Sequence, residues 1–189
     1  LGVERYESAA FSIAEQAVAD AAFREKRLTC TPASTSDAAC YKTFANEFGR
    51  LTWRRPLTDE ESTALSAVAV SAATTLNSAD KGFEYEIATL LQSPNFLFRA
   101  ELGAADEGVP GQLIYDSYEM ASRLSYFLTN STPDEVLLDA AQAGEGDVAL
   151  VGVEDQAAMD FIGADDEVVG CGVLGQSEQF VAAPAAADR

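Results

Sequence analysis

Apolar residues recur every three or four positions through most of the first 144 residues, the spacing of one buried face of an α-helix. Between Glu4 and Arg27 no Gly or Pro interrupts this spacing, so we predict one helix there. A Thr-, Ser- and Pro-rich stretch from Thr29 to Ser36 predicts a loop. Asp37 can then cap a second helix, which Pro56 ends because proline lacks an amide donor.

Further helix starts are marked by capping residues or by a return of the helical spacing. They lie at Thr58 with Glu61, near Lys81, at Ser93 with Pro94, at Asp116 with Glu119, and at Thr132 with Pro133. We expect apolar residues at helical spacing to form the buried stripes of two of these helices, namely Leu65, Val68, Ala72 and Leu76 after Thr58, and Met120, Leu124, Phe127 and Leu128 after Asp116. The pattern predicts an all-α fold, an irregular helical bundle of six to seven helices over residues 1–144.

Residues 145–189 have a different composition. Residues 1–123 contain 18 acidic and 11 basic residues, a net charge of −7, whereas residues 124–189 contain 13 acidic residues and only Arg189, a net charge of −12. Repeated glycines interrupt the last 45 residues. We therefore predict an acidic, Gly-rich C-terminal tail that is poorly ordered or only loosely packed.

Composition excludes several functions. The total charge of −19 disfavours nucleic acid and anionic membranes as partners. No apolar run is long enough for a membrane span. Histidine is absent, which removes an essential group from Ser-His-Asp triads, Cys-His pairs and His-ligated zinc within this chain. We therefore predict no catalytic residue and no metal site.

Four motifs occur in order along the predicted bundle. They are Trp53-Arg54-Arg55-Pro56-Leu57-Thr58, Leu91-Gln92-Ser93-Pro94-Asn95-Phe96-Leu97-Phe98-Arg99, Glu119-Met120-Ala121-Ser122-Arg123-Leu124-Ser125-Tyr126-Phe127-Leu128, and Ser131-Thr132-Pro133-Asp134-Glu135-Val136-Leu137-Leu138. Together they resemble exported multi-domain proteins of planctomycetes and myxobacteria that carry several domains of unknown function with a c-type cytochrome domain. The resemblance covers roughly residues 1–144. It implies an extracytoplasmic location and neighbouring domains of the same polypeptide as partners, with any haem on those absent domains and no cofactor in this chain.

The start at Leu1, without an initiator Met, also predicts a fragment of a longer precursor whose export signal lies upstream. In an exported protein, Cys30 and Cys40 would be oxidised to a disulfide across the Pro-containing turn. Cys171 is then left over as a free thiol.

Arg99 and Arg123 are the candidate ligand-binding residues. With Arg54 and Arg55 they lie inside the motifs, and a guanidinium group can clamp a carboxylate, a phosphate or a haem propionate bidentately. The favoured alternative is that these arginines form internal ion pairs with Glu60, Glu61, Glu101 and Glu119.

These observations leave three alternative functions for the chain. The first is a non-catalytic helical structural or interaction module of a larger, haem-associated redox protein. The second is part of an enzyme active site that absent domains complete, with the arginines binding an anionic substrate. The third is a carbohydrate-binding module that uses an aromatic platform, although we expect its rings to pack in the core instead; these are Phe96, Phe98, Tyr118, Tyr126 and Phe127.

Overall fold

The computed structural model describes residues 2–99, 101–105 and 113–143, which form eight helices and one short antiparallel ladder. The elements are α1 (Gly2–Ala19), α2 (Ala21–Arg27), α3 (Ala38–Trp53), α4 (Asp59–Thr75), α5 (Ala79–Gln92), α6 (Pro94–Leu97), β1 (Ala104–Ala105), β2 (Leu113–Ile114), α7 (Ser117–Thr129) and α8 (Glu135–Gln142). The predicted all-α class is confirmed. The predicted acidic tail, residues 145–189 with Cys171, lies outside the described residues, so its lack of order stays a prediction.

The eighth helix arises because the predicted first helix is two helices. Asp20 has an extended backbone (φ −77°, ψ 121°), and its side chain accepts a hydrogen bond from the amide of Ala22. The break lets the two helices pack on different neighbours. α1 packs mainly along α5, whereas Phe23 of α2 meets Phe48 of α3, with ring centroids 5.5 Å apart.

The main core lies between α1, α3, α4 and α5. Its centre is an aromatic cluster in which the Phe83 ring makes edge contacts with Tyr41 and Phe44, at centroid distances of 5.0 and 5.1 Å. Gly82 allows this approach, because a Cβ atom there would lie 2.7 Å from the Tyr41 ring. A single methyl group would therefore disturb the contact between α3 and α5.

The buried stripe predicted for α4 is partly wrong. Val68 is 37% exposed and Leu76 is 47% exposed. Small residues are buried beside Leu65 and Ala72 instead, namely Ser62, Ser66, Ala69 and Ala73. The two serine hydroxyl groups donate to carbonyls of their own helix, so burying them leaves no donor without an acceptor. Small side chains let the α4 backbone approach α5 more closely than large ones would.

The buried stripe predicted for α7 also differs. Phe127 is 74% exposed, whereas Ala121, Ser122 and Ser125 are buried. Ala121 packs with Leu137 and Ala141 of α8 in a small cluster separate from the main core. Two ion pairs link α8 to the rest of the bundle, Arg27 with Glu135 at 2.5 Å and Arg50 with Asp139 at 2.6 Å.

The predicted disulfide between Cys30 and Cys40 is present, with Cα atoms 5.7 Å apart. It anchors the loop after α2 to the first turn of α3. Among the helices of the described residues, none combines the length and the apolar character that a membrane span requires.

Candidate functional site

Arg54 joins two of the sequence motifs. It follows the last residue of α3 in the left-handed conformation (φ 60°, ψ 22°), so α3 ends before Pro56, at Trp53. Its side chain is only 5% exposed, and its guanidinium donates to the carbonyl oxygens of Thr52, Asn95 and Phe98 at 3.1, 2.6 and 2.9 Å. The predicted ion pair of Arg54 is therefore wrong, because its donors bind one carbonyl at the end of α3 and two carbonyls around the short helix α6.

Arg55 forms the ion pair that the sequence favoured. Its two terminal nitrogens donate to the two carboxylate oxygens of Glu61 at 2.9 and 2.8 Å. The same carboxylate accepts from the amide of Thr58, which completes the predicted capping box of α4. The hydrogen bond from Arg55 lowers the pKa of Glu61. Arg55 therefore stabilises the first turn of α4.

Glu119 fixes the segment that follows α6 against α7. Its carboxylate accepts from the amides of Leu102, Gly103 and Asp116 at 2.8, 3.2 and 3.0 Å. Burial alone would raise the pKa of Glu119, but these backbone hydrogen bonds lower it overall. Within the described residues Glu119 does not form the predicted pair with an arginine, because its carboxylate accepts from backbone amides instead.

The two candidate ligand-binding arginines lie together in one open groove of about 880 Å³, which we call the Arg99 groove. Its lining combines charged, polar and apolar side chains: Arg99, Glu101, Met120, Arg123, Leu124, Tyr126, Phe127 and Asn130. A second cavity of about 270 Å³ shares Arg99 and Glu101 with it and reaches Trp53 and Ser122. The groove therefore lies between the segment that follows α6 and one side of α7.

Aromatic rings hold both arginines. The guanidinium carbon of Arg99 lies 4.7 Å from the centroid of the Tyr126 ring, and that of Arg123 lies 5.2 Å from the centroid of Tyr115. Arg123 also approaches the Glu101 carboxylate at 3.8 Å, the outer limit of a salt bridge, so its predicted pairing is present but loose. For Arg99, no ion pair or hydrogen bond occurs within the described residues.

The five aromatic residues considered for a carbohydrate platform do not share one environment. Phe98 is 67% exposed and Phe127 is 74% exposed, so the expectation that they pack in the core is wrong. Phe96, Tyr118 and Tyr126 are half-buried, and Arg99 covers the face of Tyr126. No group of three or more potential metal ligands occurs in the described part of the chain.

Sequence reasoning missed the role of Tyr115, whereas Glu101 was among the predicted acidic partners of the motif arginines. Tyr115 follows a stretch that contains Gly103, Pro110 and Gly111, where helical spacing gives no information on direction. The contact between Arg123 and Tyr115 was therefore not predictable from periodicity.

Two protein-family models match the chain. Residues 40–101 match PSD5, a protein of unknown function (DUF1595), and residues 115–149 match PSD4, a protein of unknown function (DUF1592). The first match includes Arg99 and Glu101, and the second includes Arg123 and Tyr126. No curated protein and no solved structure matches the chain. The chain is thus similar to two separate domains of unknown function, and the Arg99 groove is formed between the two matched segments.

Proposed function

We propose that the chain is a non-catalytic structural and interaction module, and that it docks against a neighbouring domain of the same, larger polypeptide. The supporting observation is a set of exposed apolar side chains around the Arg99 groove. Phe98, Leu102 and Phe127 are 67%, 76% and 74% exposed. Phe98 and Leu102 are within three residues of Arg99, and Phe127 lines its groove. We call these three residues the docking face.

The composition of this region favours a protein partner. Aromatic residues, Met and Arg are enriched at protein interfaces, and Lys is depleted. The groove contains Tyr126, Phe127, Met120 and two arginines, and no lysine lines it. A neighbouring domain is the natural occupant, because two separate family models match consecutive segments of the chain and so point to a multi-domain protein.

The wider context of the proposal is an exported, haem-associated redox protein. The disulfide between Cys30 and Cys40 is typical of an extracytoplasmic location, because cytosolic thiols are kept reduced. The four sequence motifs resemble exported proteins that combine these domains with a c-type cytochrome domain. In this proposal the haem belongs to another domain, and the present chain supplies a rigid helical surface for it.

The test is a binding assay between this chain and the remainder of its full-length protein, produced as a separate polypeptide. We expect association, and we expect Phe127→Ser to weaken it about tenfold or more, because burying a Phe side chain contributes roughly 1.5–3 kcal/mol. Val3→Ser is the matched control, since Val3 is 80% exposed on α1 and does not line the Arg99 groove. Equal effects of the two substitutions, or no association at all, would refute the proposal.

A further inference from the structure

Arg99 has hydrogen-bond donors that the described part of the chain leaves unused. Its guanidinium stacks on Tyr126, and stacking occupies the flat face of the group but not the N–H donors at its edge. The side chain is exposed, and the groove beside it is open. The stacked ring restricts the guanidinium, so a ligand that binds its edge loses less side-chain freedom than it would on a mobile arginine.

The charges around Arg99 favour one additional anionic group. Burial lowers the pKa of the neighbouring Arg54 guanidinium, and the positive charge of Arg99 lowers it further while Tyr126 opposes the shift. The acidic side chains that line the two cavities have other partners: Glu101 faces Arg123, the Glu119 carboxylate accepts three backbone hydrogen bonds, and Asp116 accepts from the amide of Glu119. Of the arginines in this neighbourhood, Arg99 is therefore the one whose N–H donors have no acceptor within the described residues.

We infer that the Arg99 groove binds an organic carboxylate that carries an apolar tail. The carboxylate would accept two hydrogen bonds from the edge of Arg99, and the tail would lie along Met120, Leu124 and Phe127. This inference goes beyond the proposed docking function, because it rests on the free donors of Arg99 and shares only Phe127 with the docking face. A neighbouring domain over the groove would enclose the ligand, and ligand sites commonly lie at such domain interfaces.

The apolar side chains that line the groove favour this ligand over an inorganic anion. Phosphate and sulfate are usually held by several donors, whereas the groove offers one guanidinium without an acceptor and a second that faces Glu101. The chain also carries a net charge of −19, which repels multivalent anions more strongly than a monocarboxylate. The volume of about 880 Å³ is within the usual range for small-molecule sites.

The experiment titrates the full 189-residue chain with sodium octanoate at constant ionic strength and follows the fluorescence of Trp53. Trp53 is the only tryptophan of the chain, and it lines the cavity that shares Arg99 with the groove. Octanamide has the same apolar tail without a carboxylate, so it tests the contribution of the negative charge. Inorganic phosphate has negative charge without a tail, so it tests the contribution of the tail. We expect saturable binding of octanoate that is about tenfold or more tighter than binding of either comparison compound.

Two substitutions with opposite effects make the assignment specific. Arg99→Gln should weaken octanoate binding about tenfold, whereas Arg5→Gln, the same change of charge at an exposed position of α1, should not. Glu101→Gln should tighten binding a few-fold, because it removes a competing carboxylate and frees Arg123. A misfolded variant would not gain affinity.

Three results would overturn the inference. The first is equal binding of octanoate and octanamide, and the second is equal effects of Arg99→Gln and Arg5→Gln. The third is loss of docking to the neighbouring domain in Arg99→Gln without any octanoate binding by the unmodified chain, which would assign Arg99 to the protein interface alone. If octanoate binds as expected but the remainder of the polypeptide does not associate, the ligand site stands and the docking function fails.

Discussion

Glu86 should make the stability of the bundle depend on pH. Its side chain on α5 is fully buried, and neither carboxylate oxygen has a hydrogen-bond partner within the described residues. Burial raises the pKa of Glu86 to about 9, compared with 4.5 for an ordinary glutamate. Folding at neutral pH therefore requires Glu86 to take up a proton that the unfolded chain does not hold.

The sign and size of the effect follow from these two pKa values. Below pH 4.5 the carboxyl is protonated in both states, so stability is highest there with respect to this group, and it falls as the pH rises towards about 9. Each pH unit in that window lowers the free energy of unfolding by about 1.4 kcal/mol. The loss is about 3 kcal/mol at neutral pH, and it grows by about 4 kcal/mol between pH 5 and pH 8.

Glu86→Gln tests this reasoning, because an amide keeps the size of the side chain and cannot ionise. We expect the variant to gain stability over the unmodified chain as the pH rises, by about 4 kcal/mol more near pH 8 than near pH 5 in urea denaturation. Both proteins contain the same other titrating groups, so the contributions of those groups cancel when the two free energies of unfolding are subtracted. Tyr41, which faces Glu86 from α3, stays neutral in this range, since burial raises its pKa above 10.

Glu25→Gln is the control, because Glu25 is an exposed glutamate on α2. We expect its stability to run parallel to that of the unmodified chain at every pH. If the stability of Glu86→Gln also changes with pH in the same way as that of the unmodified chain, then Glu86 is not protonated in the folded state. The argument from burial would then be wrong.

Three further changes test the disulfide, the Arg54 contacts and the close approach at Gly82. Replacing Cys30 and Cys40 together by Ser should lower the free energy of unfolding by about 2.5–3 kcal/mol through loss of a short closed loop, and added reductant should then have no further effect on the urea midpoint. Arg54→Lys should lower stability by about 2–3 kcal/mol in urea denaturation, because one ammonium group cannot reach three carbonyls in a fixed fork. Gly82→Ala should lower the melting temperature, since overpacking against Tyr41 costs about 1–3 kcal/mol and exceeds the helix-propensity gain of about 1 kcal/mol; a stabilised variant would contradict the packing.

Four helix starts were predictable because capping is local, whereas α8 is capped by Asp134 and not at Thr132, and α5 begins at Ala79 without a side-chain cap. Asp37, Thr58 with Glu61, Ser93 with Pro94, and Asp116 with Glu119 all cap helices as the sequence predicts. In each case a side chain accepts a hydrogen bond from an amide two or three residues further on, so the helix start depends on no distant residue. The interruption at Asp20 uses the same chemistry, but the continuous apolar spacing around it hid the signal.

The buried faces of α4 and α7 were not predictable in the same way. An Ala- and Ser-rich helix offers several stripes at helical spacing, and the distance between helices decides which of them is buried. On α4, close packing against α5 selects Ser66 and Ala69 and leaves Val68 at the surface. Glu86 did carry a signal, because it lies three residues after Phe83 and four before Leu90, both buried, but a charged residue is normally expected to be exposed.

The motif arginines could be located in the sequence, but their partners depend on the tertiary structure. Arg54 donates to three carbonyls, Arg55 to Glu61, and Arg123 faces Glu101. Arg99 is the one of the four without an acceptor in the described structure. The chain has 31 acidic and 12 basic residues, so carboxylates are abundant and an arginine without any acceptor is unexpected. Arg54 binds the carbonyl of Phe98, and Arg123 faces Glu101 from α7, so the segment that follows α6 is held beside the groove. The donors of Arg99 between them stay available for a group from outside the described residues.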